Sequence, residues 1–320
     1  MKIFLAGHKG MVGSSIKDLL ERETNYDVIT AGKNKLDLRN QDQVLNFFNL
    51  NKPDYVIIAA AKVGGINANN TYPADFIYDN LMIQSNLIHS SFNSKVKKLL
   101  FLGSSCIYPK NCKQPIREDM LLDGKLEQTN EPYAIAKIAG IKLCESFNRQ
   151  FNTDFRSLMP TNLYGENDNF SEKNSHVIPG LLRRFHFAKE NKDQYVKVWG
   201  DGRPKREFLH VKDLSRACIF ILDKTKEDYT KKLDPMISHI NIGSGQEINI
   251  KDLSNMIAKV VGYQGKIIFD KSKPNGTMRK LMDSSKLMDF GWKPQINLEE
   301  GLESTYNWFL ENKIKLHKDI

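Results

Sequence analysis

KIFLAGHKGMVGSSI, residues 2–16, is the stretch on which the fold turns. The apolar run KIFLA stops at Gly7, and glycines recur at Gly10 and Gly13 as the amphipathic run MVGSSIKDLLERE begins. A short apolar run bounded by glycine reads as a strand, and the spacing that follows reads as a helix. Glycines at such a junction allow a tight turn, close approach of backbone to a pyrophosphate, and close packing of helix on strand. The free N–H groups of the first helical turn then face the phosphates. The reading predicts a dinucleotide site built from Gly7, His8, Lys9, Gly10, Met11, Val12 and Gly13.

Outward from this junction the pattern repeats. DVIT, YVIIAAA, KKLLFLGS and FRSLMPTNLYG read as strands. NQDQVLNFFN, the stretch 74–92 and EPYAIAKIAGIKLCESFNRQF read as the helices between them. Strand–helix alternation predicts a parallel sheet with helices on both faces, and the unbroken apolar strands fit burial on both sides. The expected fold is α/β, a Rossmann-type doubly wound parallel sheet over residues 1–165 that forms the dinucleotide-binding domain. Past Gly165 the pattern loosens: HVIPGLLRRFHFAKEN and LEEGLESTYNWFLENK are expected helices, VKVWG and KIIFD expected strands. Residues 166–320 are expected to form a smaller C-terminal α+β substrate-binding domain, with a segment near 206–237 returning to the first.

Composition narrows the function. The chain has 320 residues, 40% apolar and 27% charged, which is ordinary for a soluble globular protein. The net charge of +9 comes from lysines scattered among acids and asparagines. With no long basic run or recognisable module, no nucleic-acid partner is expected, and the excess charge reads as solvated surface. No apolar run is long enough to span a membrane, and none resembles a cleaved leader, so the expected location is cytoplasmic. The four cysteines, Cys106, Cys112, Cys144 and Cys218, show neither C-x-x-C nor zinc-ligand spacing. They read as reduced thiols, and no metal is expected.

The choice of dinucleotide follows from the second strand. An NAD-selective site places an acid near its tip, but here the strand ends in ITAGKNKLDL, with Lys33 and Lys35. Lys9 adds a positive charge inside the glycine turn. This favours the 2′-phosphate of NADP(H), with Asp37 nearer the adenine and Lys35 read as surface.

EPYAIAK places Tyr133 and Lys137 on one helical face. A lysine ammonium beside the phenol is expected to lower its pKa and ease proton transfer. In LGSSCIYP, an extended segment would point Ser104 and Cys106 the same way and turn Ser105 aside. A reductase needs no thiol there, whereas an epimerase needs a base that takes a proton from carbon. A thiol whose pKa is lowered by nearby positive charge would serve. NSHVIPGLLRRF supplies His176, either structural or the acid on the opposite face.

The glycine turn, Ser104, Tyr133 and Lys137 together resemble the extended, nucleotide-sugar branch of the short-chain dehydrogenase/reductases. AAAKVGGI, NNTYPADFIY, LGSSCIYPK, MPTNLYG, NSHVIPGLLRRFH and REFLHVKDL resemble, more narrowly, the GDP-L-fucose synthase family. That resemblance implies an NADPH-dependent 3,5-epimerase/4-reductase acting on GDP-4-keto-6-deoxy-D-mannose, and a homodimer built on the helices at 74–92 and around Tyr133. It implies catalytic roles for Ser104, Tyr133 and Lys137, with Cys106 and His176 as base and acid. It implies cofactor contacts from Lys33, Asp37, Leu38, Leu102, Gly103, Ser104, Ser105, Lys137, Pro160, Thr161, Asn162, Leu163 and His176. It further implies that Arg184, Trp199, Arg206, Asn275 and Lys280 embrace the GDP-sugar. Trp199 also reads as core filler and Lys280 as solvated surface, while Asn275 stands where an acid would also fit beside a hydroxyl. Competing readings are a 4-epimerase or 4,6-dehydratase that retains NAD, and a regulatory NADP(H) binder. Cys106, His176 and the lysine-tipped second strand speak against the first, and the complete Ser104–Tyr133–Lys137 set against the second.

Overall fold

The computed structural model describes residues 1–172, 174–273 and 275–316. β1 (Lys2–Ala6), α1 (Met11–Glu23), β2 (Asp27–Ile29), α2 (Gln41–Asn51) and β3 (Tyr55–Ile58) open the chain. α3 (Ile66–Thr71) and α4 (Pro73–Asn93) lead to β4 (Lys98–Leu102), and α5 (Glu131–Phe151) to β5 (Phe155–Pro160). The chain then forms β6 (Asn162–Tyr164), α6 (Val177–Glu190), β7 (Tyr195–Trp199) and β8 (Lys205–His210). α7 (Val211–Asp223), α8 (Lys226–Lys231) and β9 (His239–Ile242) follow. β10 (Glu247–Asn249), α9 (Ile250–Val261), β11 (Lys266–Asp270), β12 (Arg279–Lys280), α10 (Ser285–Asp289) and α11 (Leu298–Leu316) complete it.

The main sheet has six strands in the order β2-β1-β3-β4-β5-β9, every neighbour parallel. Ile3–Ala6, Tyr55–Ile58 and Leu99–Leu102 form unbroken buried apolar runs because both faces of the sheet are covered. Ile3, Leu5, Ile57, Leu100 and Leu158 pack on one side against Ile16 and Leu20 of α1 and Leu214 and Ile221 of α7. Phe4, Val56, Ile58, Leu99 and Phe101 point the other way, onto Val44 and Phe48 of α2, Leu87 of α4 and Ile141 of α5. This is a doubly wound, Rossmann-type α/β sheet. Strand order reverses between β1 and β3, and ligands of such sheets bind beyond the carboxyl ends of the strands at that point.

A third core gathers Phe185 of α6, Val196 and Val198 of β7, Leu253 and Ile257 of α9 and Phe309 of α11. Around it lie β8, flanked by β10 and β12 with β6 also paired to it, and the parallel pair β7–β11. FRSLMPTNLYG is therefore two strands: β5 ends at Pro160, and beyond Thr161 β6 joins β8 instead of the main sheet. α7 packs back on α1, where Ser215 Oγ donates to Ser15 Oγ at 2.8 Å, and β9 extends the main sheet.

Candidate active site

At the end of β1 the chain turns through Gly7, whose φ of +91° suits glycine. A Cβ there would lie 2.6 Å from Ala60 N, and one on Gly13 would lie 2.1 Å from Gly7 O. Gly10 N-caps α1 without any side-chain cap, so the first-turn N–H groups stay available. Backbone this bare, at a helix N-terminus and at the point where strand order reverses, fits a dinucleotide pyrophosphate. Lys9 Nζ would lie 3.6 Å from a Cβ on Gly32, which brings it to the turn that carries the exposed Lys33. His8 is half-buried, and burial followed by Lys9 pulls its imidazole below the ordinary value. Asp37 is already engaged: Arg39 Nε and Nη2 donate to its carboxylate at 3.0 and 2.8 Å and hold it well below the usual carboxylate range. Arg39 Nη1 also reaches Asp79 at 3.2 Å. Leu38 is half-buried, and its carbonyl accepts from Asn86 Nδ2 at 3.0 Å.

The reacting end lies beyond β4. A Cβ on Gly103 would meet Met159 Sδ at 2.2 Å, so a side chain here would have to displace that methionine. Ser104 remains extended, but Ser105–Ile107 form a 3₁₀ turn. The expected strand-like alternation is thus corrected: Cys106 comes to Ser104 by a turn, its N–H donating to Ser104 Oγ at 3.4 Å. The thiol is buried, and the Lys280 and Lys137 ammonium groups lie within electrostatic reach of it. The expected lowering of its pKa is corrected too. Burial pushes the thiol up, and Lys280, the Ser104 hydroxyl and Lys137 offset this only in part.

α5 places Tyr133 and Lys137 on the face turned to β4. Lys137 Nζ donates to Leu102 O at 2.8 Å, lying 4.8 Å from the Phe101 ring centre and 5.8 Å from that of Tyr133. Burial pulls the ammonium down to about 8. The phenol of Tyr133 is raised, first by burial and then by Cys106, rather than lowered as expected. Desolvation here outweighs the neighbouring lysine, whose charge is directed at a carbonyl.

Beyond β5, Thr161 N–H donates to Ile242 O at 2.9 Å, and Asn162 Nδ2 donates to Glu207 O at 2.9 Å. Pro160 and Thr161 are buried, while Asn162 and Leu163 are half-buried. Arg206 on β8 pairs in register with Lys280 on β12, so both cations share one strip beside Cys106. Gly276 sits against Arg206, where a Cβ would meet Nη2 at 3.3 Å. Asn275 Oδ1 accepts from Asp201 N–H at 2.9 Å, fixing the turn after β7. Trp199 is 60% exposed, so it does not fill the core, and Lys273 Nζ lies 5.7 Å from its ring centre. Arg184, on α6, is exposed and donates to Lys197 O at 2.7 Å. It borders a cavity of about 440 Å³ whose walls include Gly180, Phe187 and Tyr195. His176 N-caps α6, and its Nδ1 lies 3.9 Å from Asp168 Oδ1. Ser104, Cys106, Tyr133, Lys137 and Lys280 thus form one cluster, joined by Arg206 through Lys280. Arg184 and Trp199 lie on α6 and β7 of the second half.

Three residues in this region escaped the sequence reading: Arg39, which occupies Asp37; Asp168, facing His176; and Glu207, which anchors Asn162. Arg39 and Asp168 lie in polar loops and Glu207 on the strand β8, and none of the three carries a local mark of its partner.

Residues 3–243 match the model of the NAD dependent epimerase/dehydratase family. The chain belongs to this family. Among its relatives, GDP-L-fucose synthase of Escherichia coli is 56% identical over 98% of this chain and 97% of its own length. A Campylobacter jejuni GDP-mannoheptose C4 reductase with NADP bound is 38% identical, with a TM-score of 0.87, covering 97% of this chain and 98% of its own. A GDP-L-fucose synthetase of Naegleria fowleri bound to NADP is 26% identical, also with a TM-score of 0.87, covering 98% of this chain and 95% of its own.

Proposed function

We propose that this family member converts GDP-4-keto-6-deoxy-D-mannose to GDP-L-fucose, by epimerisation at C3 and C5 followed by reduction at C4 with NADPH. The full-length similarity to GDP-L-fucose synthases supports the substrate. The observation that carries the epimerase half is the thiol: Cys106 is buried, its N–H donates to Ser104 Oγ, and it lies within electrostatic reach of Tyr133, Lys137 and Lys280.

Residues 1–165 serve as the cofactor half, rejoined by the segment near 206–237, and 166–320 as the substrate half. The Gly7–Gly13 turn receives the pyrophosphate, and Lys9 and Lys33 the 2′-phosphate. Ser104 Oγ and Tyr133 Oη donate to the 4-keto oxygen, which stabilises the enolate formed when Cys106 Sγ takes a proton from the adjacent carbon. His176 protonates the opposite face. Bound NADPH supplies hydride to C4. Tyr133, kept protonated by its raised pKa, delivers the phenolic proton to the carbonyl oxygen. Lys137 neighbours the phenol ring and is anchored on Leu102 O. Arg184 and Arg206 hold the diphosphate, which suits guanidinium geometry. Trp199, Asn275 and Lys280 line the sugar and base.

Assembly and location belong to the same reading. α4 and α5 pack on each other and leave Tyr78 and Ile135 exposed, a surface suited to a homodimer. The four free cysteines suit the cytoplasm. Among the described residues no helix is long and apolar enough to cross a membrane.

The test is to incubate the protein with NADPH and GDP-4-keto-6-deoxy-D-mannose, follow loss of the reduced nicotinamide absorbance, and identify the sugar by NMR. L-fucose is expected. A 4-reduced sugar of unchanged C3 and C5 configuration would leave a plain reductase, and no oxidation of NADPH would overturn the reading.

A further inference from the structure

We propose that Asp168 is a positioning residue for His176: its buried carboxylate takes hold of Nδ1 and leaves Nε2 free to carry the proton to the sugar. This rests on the reading of His176 as the acid.

The loop between β6 and α6 doubles back through two positions of positive φ, Gly165 at +146° and Asn167 at +62°. The bend carries Asp168 inward until it is only 6% exposed, a rare place for an aspartate. Its Oδ1 accepts from Asn169 N–H at 2.7 Å, while its buried Oδ2 has no hydrogen-bond partner among the described residues. A buried carboxylate with an idle oxygen is costly unless a cation or a donor completes it. The group facing it is His176, with Nδ1 3.9 Å from Oδ1. The imidazole side chain is 48% exposed against 4% for the carboxylate, so the ring lies between the buried acid and the open side. His176 also sits at the N-cap of α6 yet its side chain caps nothing, so the ring is not spent on the helix.

The loop is braced for such a task. Asn169 Oδ1 accepts from Ser171 N–H at 2.9 Å, and Ser171 Oγ accepts from Asn174 N–H at 3.1 Å. Ser175 O lies 3.3 Å from where a Cβ on Gly65 would stand, which fixes the loop against the segment after β3. A carboxylate on Nδ1 selects the tautomer that presents Nε2, the logic of an oriented catalytic histidine.

The experiment uses the full chain with NADPH and GDP-4-keto-6-deoxy-D-mannose, and compares Asp168→Asn, Asp168→Glu and His176→Gln. It reads solvent deuterium incorporated at the carbons flanking the ketone, kcat and KM separately, and the His176 tautomer by ¹⁵N NMR. The native protein is expected to hold His176 as the Nδ1–H tautomer when neutral. Asp168→Asn is expected to shift it toward Nε2–H and to lower kcat by roughly 10²-fold or more with little change in KM, and Asp168→Glu to recover part of the loss. A native Nε2–H tautomer overturns the proposal even if Asp168→Asn does not fold. Native exchange in Asp168→Asn with impaired His176→Gln overturns it too, while leaving His176 as the acid. Full turnover by His176→Gln overturns instead the reading on which it rests.

Discussion

As the proposed base, Cys106 is held back by its own burial. Desolvation raises the thiol, and three neighbours return part of the cost: Lys280, the Ser104 hydroxyl and Lys137, in falling order. Only the thiolate can take a proton from carbon. Because the thiol sits above its ordinary value, the thiolate fraction, and with it the exchange rate, climbs with pH across the neutral and mildly alkaline range. Lys280 is the largest of the offsetting neighbours, so Lys280→Met is expected to slow alkylation of Cys106 by iodoacetamide several-fold at fixed pH. The whole rate–pH curve should move to higher pH, read at Cys106 by peptide mass spectrometry. An unmoved curve would show that Lys280 does not tune the thiol. Cys106→Ser, folded and still binding NADPH, is expected to incorporate no deuterium beside the ketone. The role proposed for Tyr133 is complementary: burial that hinders a base suits a proton donor, since a raised phenol keeps its proton.

At the level of elements, α5 sets the distance on which this chemistry depends. It lies against β4 at Gly140, where a Cβ would stand 2.5 Å from Phe101 Cζ and 3.0 Å from Gln84 Cδ of α4. Gln84 Nε2 ties the same helices by donating to Ala136 O. One turn earlier, Lys137 reaches Leu102 O. Gly140→Ala must push α5 outward or displace Phe101, at about 1–3 kcal/mol. Urea unfolding should show that loss, and kcat should fall more than KM rises as Lys137 and Tyr133 withdraw. Unchanged stability and kcat would mean the helix–strand gap has slack. Elements of this kind were legible in the chain: KIFLA, YVII and KLLFL are apolar on both faces because helices cover both, and EPYAIAK carries its four-residue spacing openly. The path from Gly103 to Ile107 was not legible. Ser-Ser-Cys is compatible with an extended segment or a 3₁₀ turn, and the contact of Gly103 with Met159, on the paired strand β5 but far away in the sequence, accompanies the break in β4. Arg39 was missed for a related reason, since its fork onto Asp37 and Asp79 joins α4 to a loop 40 residues away.

For the molecule as a whole, the question is what keeps the main sheet and the second half in register, since the site draws on both. The chain crosses between them after β5, before α7, after β9 and near β12, and Glu207 touches these crossings. Its carboxylate accepts from Gly245 N–H at 2.7 Å and Met282 N–H at 3.0 Å, and its carbonyl accepts from Asn162 Nδ2 at 2.9 Å. It is fully buried, and a Cβ on Gly243 would come within 2.2 Å of Oε1. Burial raises its carboxyl above the ordinary value, and the two N–H donors offset that in part. The sign follows: the folded state holds the proton more tightly than the unfolded chain, so this group's contribution to stability falls as pH rises from the ordinary glutamate value through the raised one. Glu207→Ala removes that slope but strands two buried N–H groups, at a cost on the order of 3 kcal/mol. Arg206 on the neighbouring position and Lys280 on the paired strand would lose their common frame, so KM for the GDP-sugar is expected to rise more than kcat falls. Urea unfolding as a function of pH, with steady-state kinetics on the same samples, checks both expectations. A Glu207→Ala protein with native stability and native KM would show that the halves are held together elsewhere, through the packing of α7 on α1 and of β9 on β5.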